Sequence, residues 1–352
     1  NSDGGFIGIR EGVVLNSANG STNQSSGGGA IVLAGGADSN SDGVPDGYAF
    51  ASSSYTDLWG SQRPSGVQIA AFESSATYTN DIRIYSGGGN ILIRGRSANG
   101  SPGVSWYKGT SGVTQLISAG AGTVVIDGQA DGTGHGIELG YFGGSVIPTI
   151  RSSSDSSTAI SITGTTTSTG HAGYQGGVFI ISTGSGSIAL SGTTATSSSQ
   201  PSVSSTGLYL YSATGSISIN GTGGRGLTVG GNLGRGDLSS SSSNISITGA
   251  AGINLYDTTF TTSGNITIDG PLVIYTDETI NSSAGIIRFT GAVNSDSTPR
   301  ALNVNAGTGS IIFGGAVGGS SPLSSLTASA ANGISVNGNI TTVTGLADGL
   351  LF

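Results

Sequence analysis

The chain has 352 residues, 65 of them Gly, with no Cys, no Met, only 9% charged residues and a net charge of −8. Without cysteine there is neither a disulfide framework nor a thiol nucleophile. With Lys108 as the single lysine there is little to neutralise phosphates, which argues against nucleic-acid binding, and no run approaches the ~20 apolar residues of a membrane-spanning helix.

So much glycine and serine would suit disorder, but 35% of the residues are apolar and they fall in register, which favours an ordered chain. Short strand signals begin at once, with Phe6–Ile9, Val13–Leu15 and Ile31–Leu33 separated by Ser, Gly and Asn turns. From Ala37 to about Asn80 the pattern breaks. This stretch holds Tyr48, Phe50, Tyr55, Trp59, Phe72 and Tyr78, and reads as an aromatic-rich insertion at 37–80. Val67–Ile69 and Asp81–Tyr85 lead back to the pattern. A second irregular patch, Ser97–Ser118, carries Trp106 and Tyr107. Beyond Gly120 the strand signals are nearly uninterrupted, with loops expected at Thr165–Tyr174, Thr193–Thr206 and Leu233–Ser243.

The pattern is a repeat. Its clearest unit is Gly207–Tyr211 (GLYLY) followed by Gly215–Gly221 (GSISING), two runs in which apolar residues alternate with small or polar ones. Period-two alternation marks a strand with one buried face. The second run recurs at Gly89–Gly95, Gly122–Gly128, Gly186–Gly192, Gly264–Gly270, Gly285–Gly291 and Gly309–Gly315. The first recurs at Gly136–Leu139, Gly177–Ile180, Gly226–Val229, Gly252–Leu255 and Gly333–Val336. A repeat of roughly 20 to 30 residues is that of a solenoid, whose units cannot bury their apolar faces alone. No segment keeps apolar residues at helical spacing. The expectation is an all-β, single-domain (1–352) parallel β-helix of about ten to fourteen windings stacked at ~4.8 Å. Its core residues in one repeat are Leu208, Leu210, Ile217 and Ile219, or Tyr209 and Tyr211 if the first strand lies in the other phase.

The pairing GLYLYSATGSISING and the run Gly309–Thr327 resemble repeats of filamentous-haemagglutinin-like and autotransporter-like bacterial surface proteins, over roughly residues 120–352. The resemblance implies a long right-handed β-helical shaft, extracellular at the bacterial surface or matrix, serving adhesion, biofilm matrix or surface fibres. The 37–80 segment has no counterpart in it. The absence of cysteine agrees with a bacterial surface origin, and the chain, lacking an initiator Met and a signal peptide, reads as mature or fragmentary.

The sharpest local motif is Asp38, Asn40, Asp42, Val44 and Asp46, with Gly43 between. Side-chain oxygens at loop positions 1, 3, 5 and 9, with glycine at 6 and a backbone carbonyl at 7, follow the order of a calcium loop. The motif resembles the calcium repeats of thrombospondin type 3 and dockerin-like modules, which implies calcium as a cofactor. The usual acidic twelfth position is Ala49, so a further ligand falls to Asp57 or water. The bland alternative is a solvated Asp/Asn/Gly turn.

Arg235–Gly236–Asp237 forms an integrin-type tripeptide, equally a good turn. Asp127, Asp131, His135 and Glu138 are the densest ionisable group; carboxylates on adjacent windings form acid/base pairs in polysaccharide-cleaving enzymes, while lone Asp residues in Gly-rich turns bond their own backbone. His171 stands alone in a Ser/Thr loop and is expected to be exposed. Trp59, Trp106 and Tyr107 suit either sugar stacking or core packing, the latter being favoured. No nucleophile elbow, phosphate loop or zinc spacing appears. The reading is therefore non-enzymatic: an adhesin shaft or a fibre subunit. The alternative is a polysaccharide-binding or polysaccharide-degrading β-helix protein with a surface glycan as partner. Strand-like Phe6–Ile9 and the apolar Leu350–Phe352 would leave sticky ends: either the chain is cut from a longer β-helix, or, the reading favoured, its ends meet head to tail in homopolymers.

Overall fold

The computed structural model describes residues 5–10, 12–17, 26–42, 44–52, 65–69, 81–98, 100–108, 114–143, 146–205, 207–230, 236–240, 242–343 and 350–351. Every element among them is a β-strand. The strands form three parallel sheets of 10, 12 and 12 strands. The chain visits the sheets in rotation, each strand pairing with its counterpart in the circuits before and after it. Sheet one runs from Ile7–Ile9 to Val293–Ser295, sheet two from Val14–Asn16 to Leu350–Leu351, and sheet three from Ile31–Leu33 to Ile334–Val336. This arrangement of parallel strands in stacked sheets is consistent with a parallel β-solenoid.

Sheet three is built from the Gly-x-apolar-x-apolar-x-Gly runs. In register, Ile91, Val124, Ile160, Ile188, Ile217, Ile245, Ile266, Ile287 and Ile311 form one fully buried column. Parallel in-register pairing puts like over like, so a β-branched side chain stacks on its copy one strand away. Each buried isoleucine contributes roughly 1.5–3 kcal/mol. A second column carries Phe289 over Phe313, ring centroids 4.9 Å apart and planes 4° from parallel, and continues to Val336. One continuous core cluster draws on all three sheets.

The closing glycine of each run is steric. Gly95, Gly128, Gly164, Gly192, Gly221 and Gly249 stack in register. A Cβ on Gly128 would sit 2.2 Å from the Gly136 carbonyl oxygen, and on Gly192 2.0 Å from that of Ser202. The backbone leading into sheet one passes too close for any side chain. Opening glycines crowd their own copies: a Cβ on Gly309 would lie 1.9 Å from the Gly285 carbonyl oxygen.

At the corner from sheet two to sheet three the core is closed by hydroxyls. Ser152, Ser182 and Ser282 are buried, and their Oγ atoms donate to the carbonyls of Gly122, Gly186 and Gly264, each at 2.7 Å. These bonds satisfy backbone acceptors that the corner would otherwise orphan. Where the following run opens on Asn, its carboxamide caps the next strand: Asn244 Oδ1 accepts from the Asn265 N–H at 2.9 Å, and Asn265 Oδ1 from the Ile286 N–H at 2.7 Å.

Two details differ from the two-strand repeat read in the sequence. Each circuit has three strands, because GLYLY contributes to sheet two whereas Gly226–Val229 and Gly252–Leu255 contribute to sheet one. The stretches Thr193–Thr206 and Leu233–Ser243, expected to be loops, contain strands Val203–Ser205 and Gly236–Ser240. The expected core phase holds: Leu208, Leu210, Ile217 and Ile219 are at most 1% exposed, and Tyr211 is 40% exposed.

Candidate functional site

The first circuit interrupts its own sheet-three strand. Ile31–Leu33 and Ala49–Ala51 both pair with the single strand Ile91–Ser97, at Ile91–Ile93 and at Gly95–Ser97. Residues 34–48 leave the sheet between them and return. The neck is narrow because both sides carry glycine: a Cβ on Gly35 would lie 2.7 Å from the Tyr48 carbonyl oxygen, and one on Gly47 2.8 Å from that of Gly35. The Asp46 N–H donates across it to the Ala37 carbonyl at 3.0 Å.

Within this excursion the motif residues bond their own backbone. The Asp42 N–H donates to Asp38 Oδ1 and Asn40 Oδ1, both at 3.1 Å, and the Val44 N–H to Asp42 Oδ1 at 2.8 Å. Asp46 Oδ2 accepts from both the hydroxyl and the N–H of Ser39. These two donors, the hydroxyl first, hold the Asp46 carboxyl below its ordinary range. Ser41 takes a left-handed φ of 60° to close the turn. The loop therefore draws Asp38, Asn40, Asp42 and Asp46 around one turn, yet among the described residues no three His, Cys, Asp or Glu side chains stand close enough to hold an ion. Ala49, at the twelfth position, is fully buried in the sheet, and Asp57 and Gly43 lie outside the described residues.

Tyr48 ties the excursion to the outer surface of sheet three two circuits on. Its hydroxyl donates to Asp127 Oδ2 at 2.5 Å and accepts from Gln129 Nε2 at 2.5 Å. Burial raises the Asp127 pKa, against the Tyr48 bond and the Arg94 charge, and the Tyr48 phenol is raised as well, by burial first and Asp127 second. Arg94 Nη1 reaches the Asp46 carbonyl at 3.4 Å, Arg96 lies 5.8 Å over the Phe50 ring, and Arg96 Nε donates to Asp131 at 2.6 Å. Nothing in the sequence marked Tyr48 for this contact, 79 residues from its partner.

The four ionisable residues singled out by density are not brought to one cleft. Asp127 lies on the outer surface of sheet three, Asp131 is paired with Arg96, His135 sits in the following corner, and Glu138 is buried on sheet one between the core residues Ile137 and Leu139. Burial pushes the Glu138 carboxyl up to about 7, and its Oε1 has no hydrogen-bond partner. His171 departs from the expectation of a lone exposed ring: it packs edge-on against His135, centroids 4.7 Å apart, and shares a 3.1 Å contact with Ser168 Oγ. The chain's two histidines thus meet across adjacent circuits. His135 Nδ1 accepts from the Ala172 N–H at 3.0 Å, and burial pushes its pKa down to about 4.

Glu278 was not singled out at all. It is 1% exposed, accepts from the Thr258 N–H at 3.0 Å and from the Thr276 hydroxyl at 2.7 Å, and burial pushes it up to about 7. Trp106 is fully buried, in register between Ile69 and Leu139, so it belongs to the main core. Trp59, Arg235 and the side chain of Asp237 lie outside the described residues. No helix among the described residues is long and apolar enough to cross a membrane. Comparison of the chain with protein-family models, with curated proteins and with solved structures returns no match.

Proposed function

We propose that the chain is a structural, non-enzymatic, right-handed parallel β-helix, extracellular on a bacterium, acting as the shaft of an adhesin or as a subunit of a surface or matrix fibre. The observation that carries this reading is the in-register stack itself. Like residues repeat over like through circuit after circuit, and the outward positions of sheet three from Ser161 to Thr248 are hydroxyls, an amide and alanine. Such a rod supplies length and stiffness rather than a pocket. The half-buried apolar side chains of the first and last described circuits, among them Ile7, Leu15 and Ile31 at one end and Ile334, Val336 and Ile340 at the other, would be covered by a further layer of strands. Head-to-tail stacking of copies, a heterologous contact that propagates, would supply such a layer, as would further windings of the same chain.

Calcium, in this reading, orders the excursion at 38–46. Asp38, Asn40, Asp42 and Asp46 would offer side-chain oxygens and Val44 its carbonyl; the turn bonds engage both carboxylate oxygens of Asp42 and Asp46, but the Asn40 carboxamide holds Asp42 Oδ2 and Asp46 Oδ1 only at 3.3 and 3.4 Å, long contacts that an ion would replace. The test is electron microscopy of the purified chain at high concentration, with calcium and with chelator. Filaments or end-joined rods support the proposal. Monodisperse compact particles under both conditions would contradict it. Calorimetric titration of wild type and Asp42→Ala addresses calcium separately: binding by the wild type alone is expected, and binding by neither reduces the motif to a turn.

A further inference from the structure

The outer face of sheet two differs from that of sheet three. On neighbouring strands Phe179–Ser182 and Tyr209–Ser212, Phe179 is in register with Tyr209 and Ile181 with Tyr211. Phe179 and Tyr209 stack at 4.5 Å with ring planes 23° apart, and Tyr211 is the most exposed aromatic of the described chain at 40%. These four side chains make a contiguous apolar and aromatic patch on the outside of the rod, where nothing in the core requires them.

The same two register columns continue along the rod past Asp237 and Ser239. One then carries Thr259, Thr279 and Asn303, the other Thr261, Asn281 and Asn305. All six are uncharged, although the protein's net charge is −8. A shallow groove of ≈ 310 Å³ lies at the second column, lined in part by Thr261, Asn281 and Asn305. Hydroxyls and carboxamides both donate and accept, so a ladder of them spaced at ~4.8 Å matches a ligand that is itself a ladder of hydroxyls.

We propose that this face binds an extended neutral polysaccharide, the apolar C–H face of one sugar ring packing against the exposed Tyr211 ring and later rings bonding to the Thr/Asn columns. Aromatic platforms with a polar handle suit a ligand that is apolar on its faces and wet at its edges. The polar columns carry no cation to attract an acidic glycan; Arg151 stands in the same register column only on the far side of Ile181. The inference goes beyond the structural role and does not depend on filament formation.

The test is co-sedimentation of the purified full chain with microcrystalline cellulose, with chitin and with insoluble starch, using alginate gel as the acidic comparison. Far-UV circular dichroism confirms folding of each variant. Wild type should pellet with at least one neutral polymer. Tyr211→Ala and the double variant Asn281→Ala/Asn305→Ala should each weaken retention about tenfold, while Ser218→Ala on sheet three leaves it unchanged. Retention on none of the three neutral polymers, retention on alginate alone, or equal retention of all variants overturns the proposal. So does a Tyr211→Ala variant whose only change, by sedimentation velocity, is loss of self-association, since that would make the face a contact between copies of the chain.

Discussion

Ile217 and Ser218 are neighbours in one strand and point to opposite sides of it, so placing the same charge at each isolates the effect of facing the core. Ile217 is fully buried between Ile188 and Ile245 in the isoleucine column, whereas Ser218 is exposed between Ala189 and Ser246. In Ile217→Asp the side chain is shortened, which in a filled core costs about 2–5 kcal/mol as for other large-to-small changes. The carboxyl must also be buried without a partner or protonated, adding about 1–3 kcal/mol. The total of about 3–8 kcal/mol is a large share of the stability of an ordinary domain. Ser218→Asp should stay within about 0.5 kcal/mol. Because each circuit touches only its neighbours, the loss should be local before it is global. Hydrogen exchange read by mass spectrometry should show protection collapsing in Ser187–Thr193, Ile217–Thr222 and Ile245–Gly249 for Ile217→Asp, together with a lower urea midpoint. Equal damage from Ser218→Asp, or an unchanged midpoint for Ile217→Asp, would refute the register.

Gly192→Ala should destabilise by about 2 kcal/mol or more, because its Cβ meets backbone at 2.0 Å, whereas Gly29→Ala, with nothing within 4 Å, should be close to neutral; urea midpoints compare them, and parity would contradict the steric account. Tyr48→Phe removes the hydroxyl shared by Asp127 and Gln129 and should raise the exchange rate of the Asp46 amide about tenfold; an unchanged rate would mean the tether does not hold the excursion. Glu278 has a folded pKa of about 7 against an ordinary 4.5, so its neutral form is favoured by folding: its contribution is complete below about pH 4.5 and is lost as pH rises to 7, by about 3 kcal/mol. Glu138 acts in the same direction, while His135, pushed down to about 4, acts in the opposite one as pH falls from 6.5. The difference in stability between Glu278→Gln and wild type cancels both; it should grow in favour of the variant from pH 4.5 to 7, and a flat difference would contradict the burial of a carboxyl there.

The sheet-three strands were plain in the sequence because most set two apolar side chains into the core between two sterically required glycines, as in Gly186–Gly192. Sheet one was hard to see for a physical reason. Val203–Ser205 and Tyr174–Gly176 are three residues long and contribute one large apolar side chain each, so alternation has no room to show. Ala49–Ala51 is held by pairing and by two small buried methyl groups, and the aromatic character of its surroundings masked it as part of an insertion. Contacts such as His135 on His171 and Tyr48 on Asp127 join residues one or two circuits apart. Variable loop lengths hide which residues the circuits superimpose, so no spacing in the sequence signals them. The turn chemistry of 38–46, by contrast, is local, and the chain order of its oxygens carried over directly.

The central claim is that residues far apart in sequence stand one strand spacing apart per circuit along one rod. In sheet three, Ser161 lies four pairings from Thr267 and seven from Ser335, through Ala189, Ser218, Ser246, Thr267, Arg288 and Ile312. The chain has no cysteine, so paired Cys substitutions at these outward positions can be spin-labelled without background. At ~4.8 Å per strand, double electron–electron resonance should place the backbones about 19 Å apart for Ser161→Cys/Thr267→Cys and about 34 Å apart for Ser161→Cys/Ser335→Cys, each as a single narrow distribution. Distances that fail to grow in the ratio of four to seven, or broad distributions for both pairs, would contradict the stacked parallel sheets.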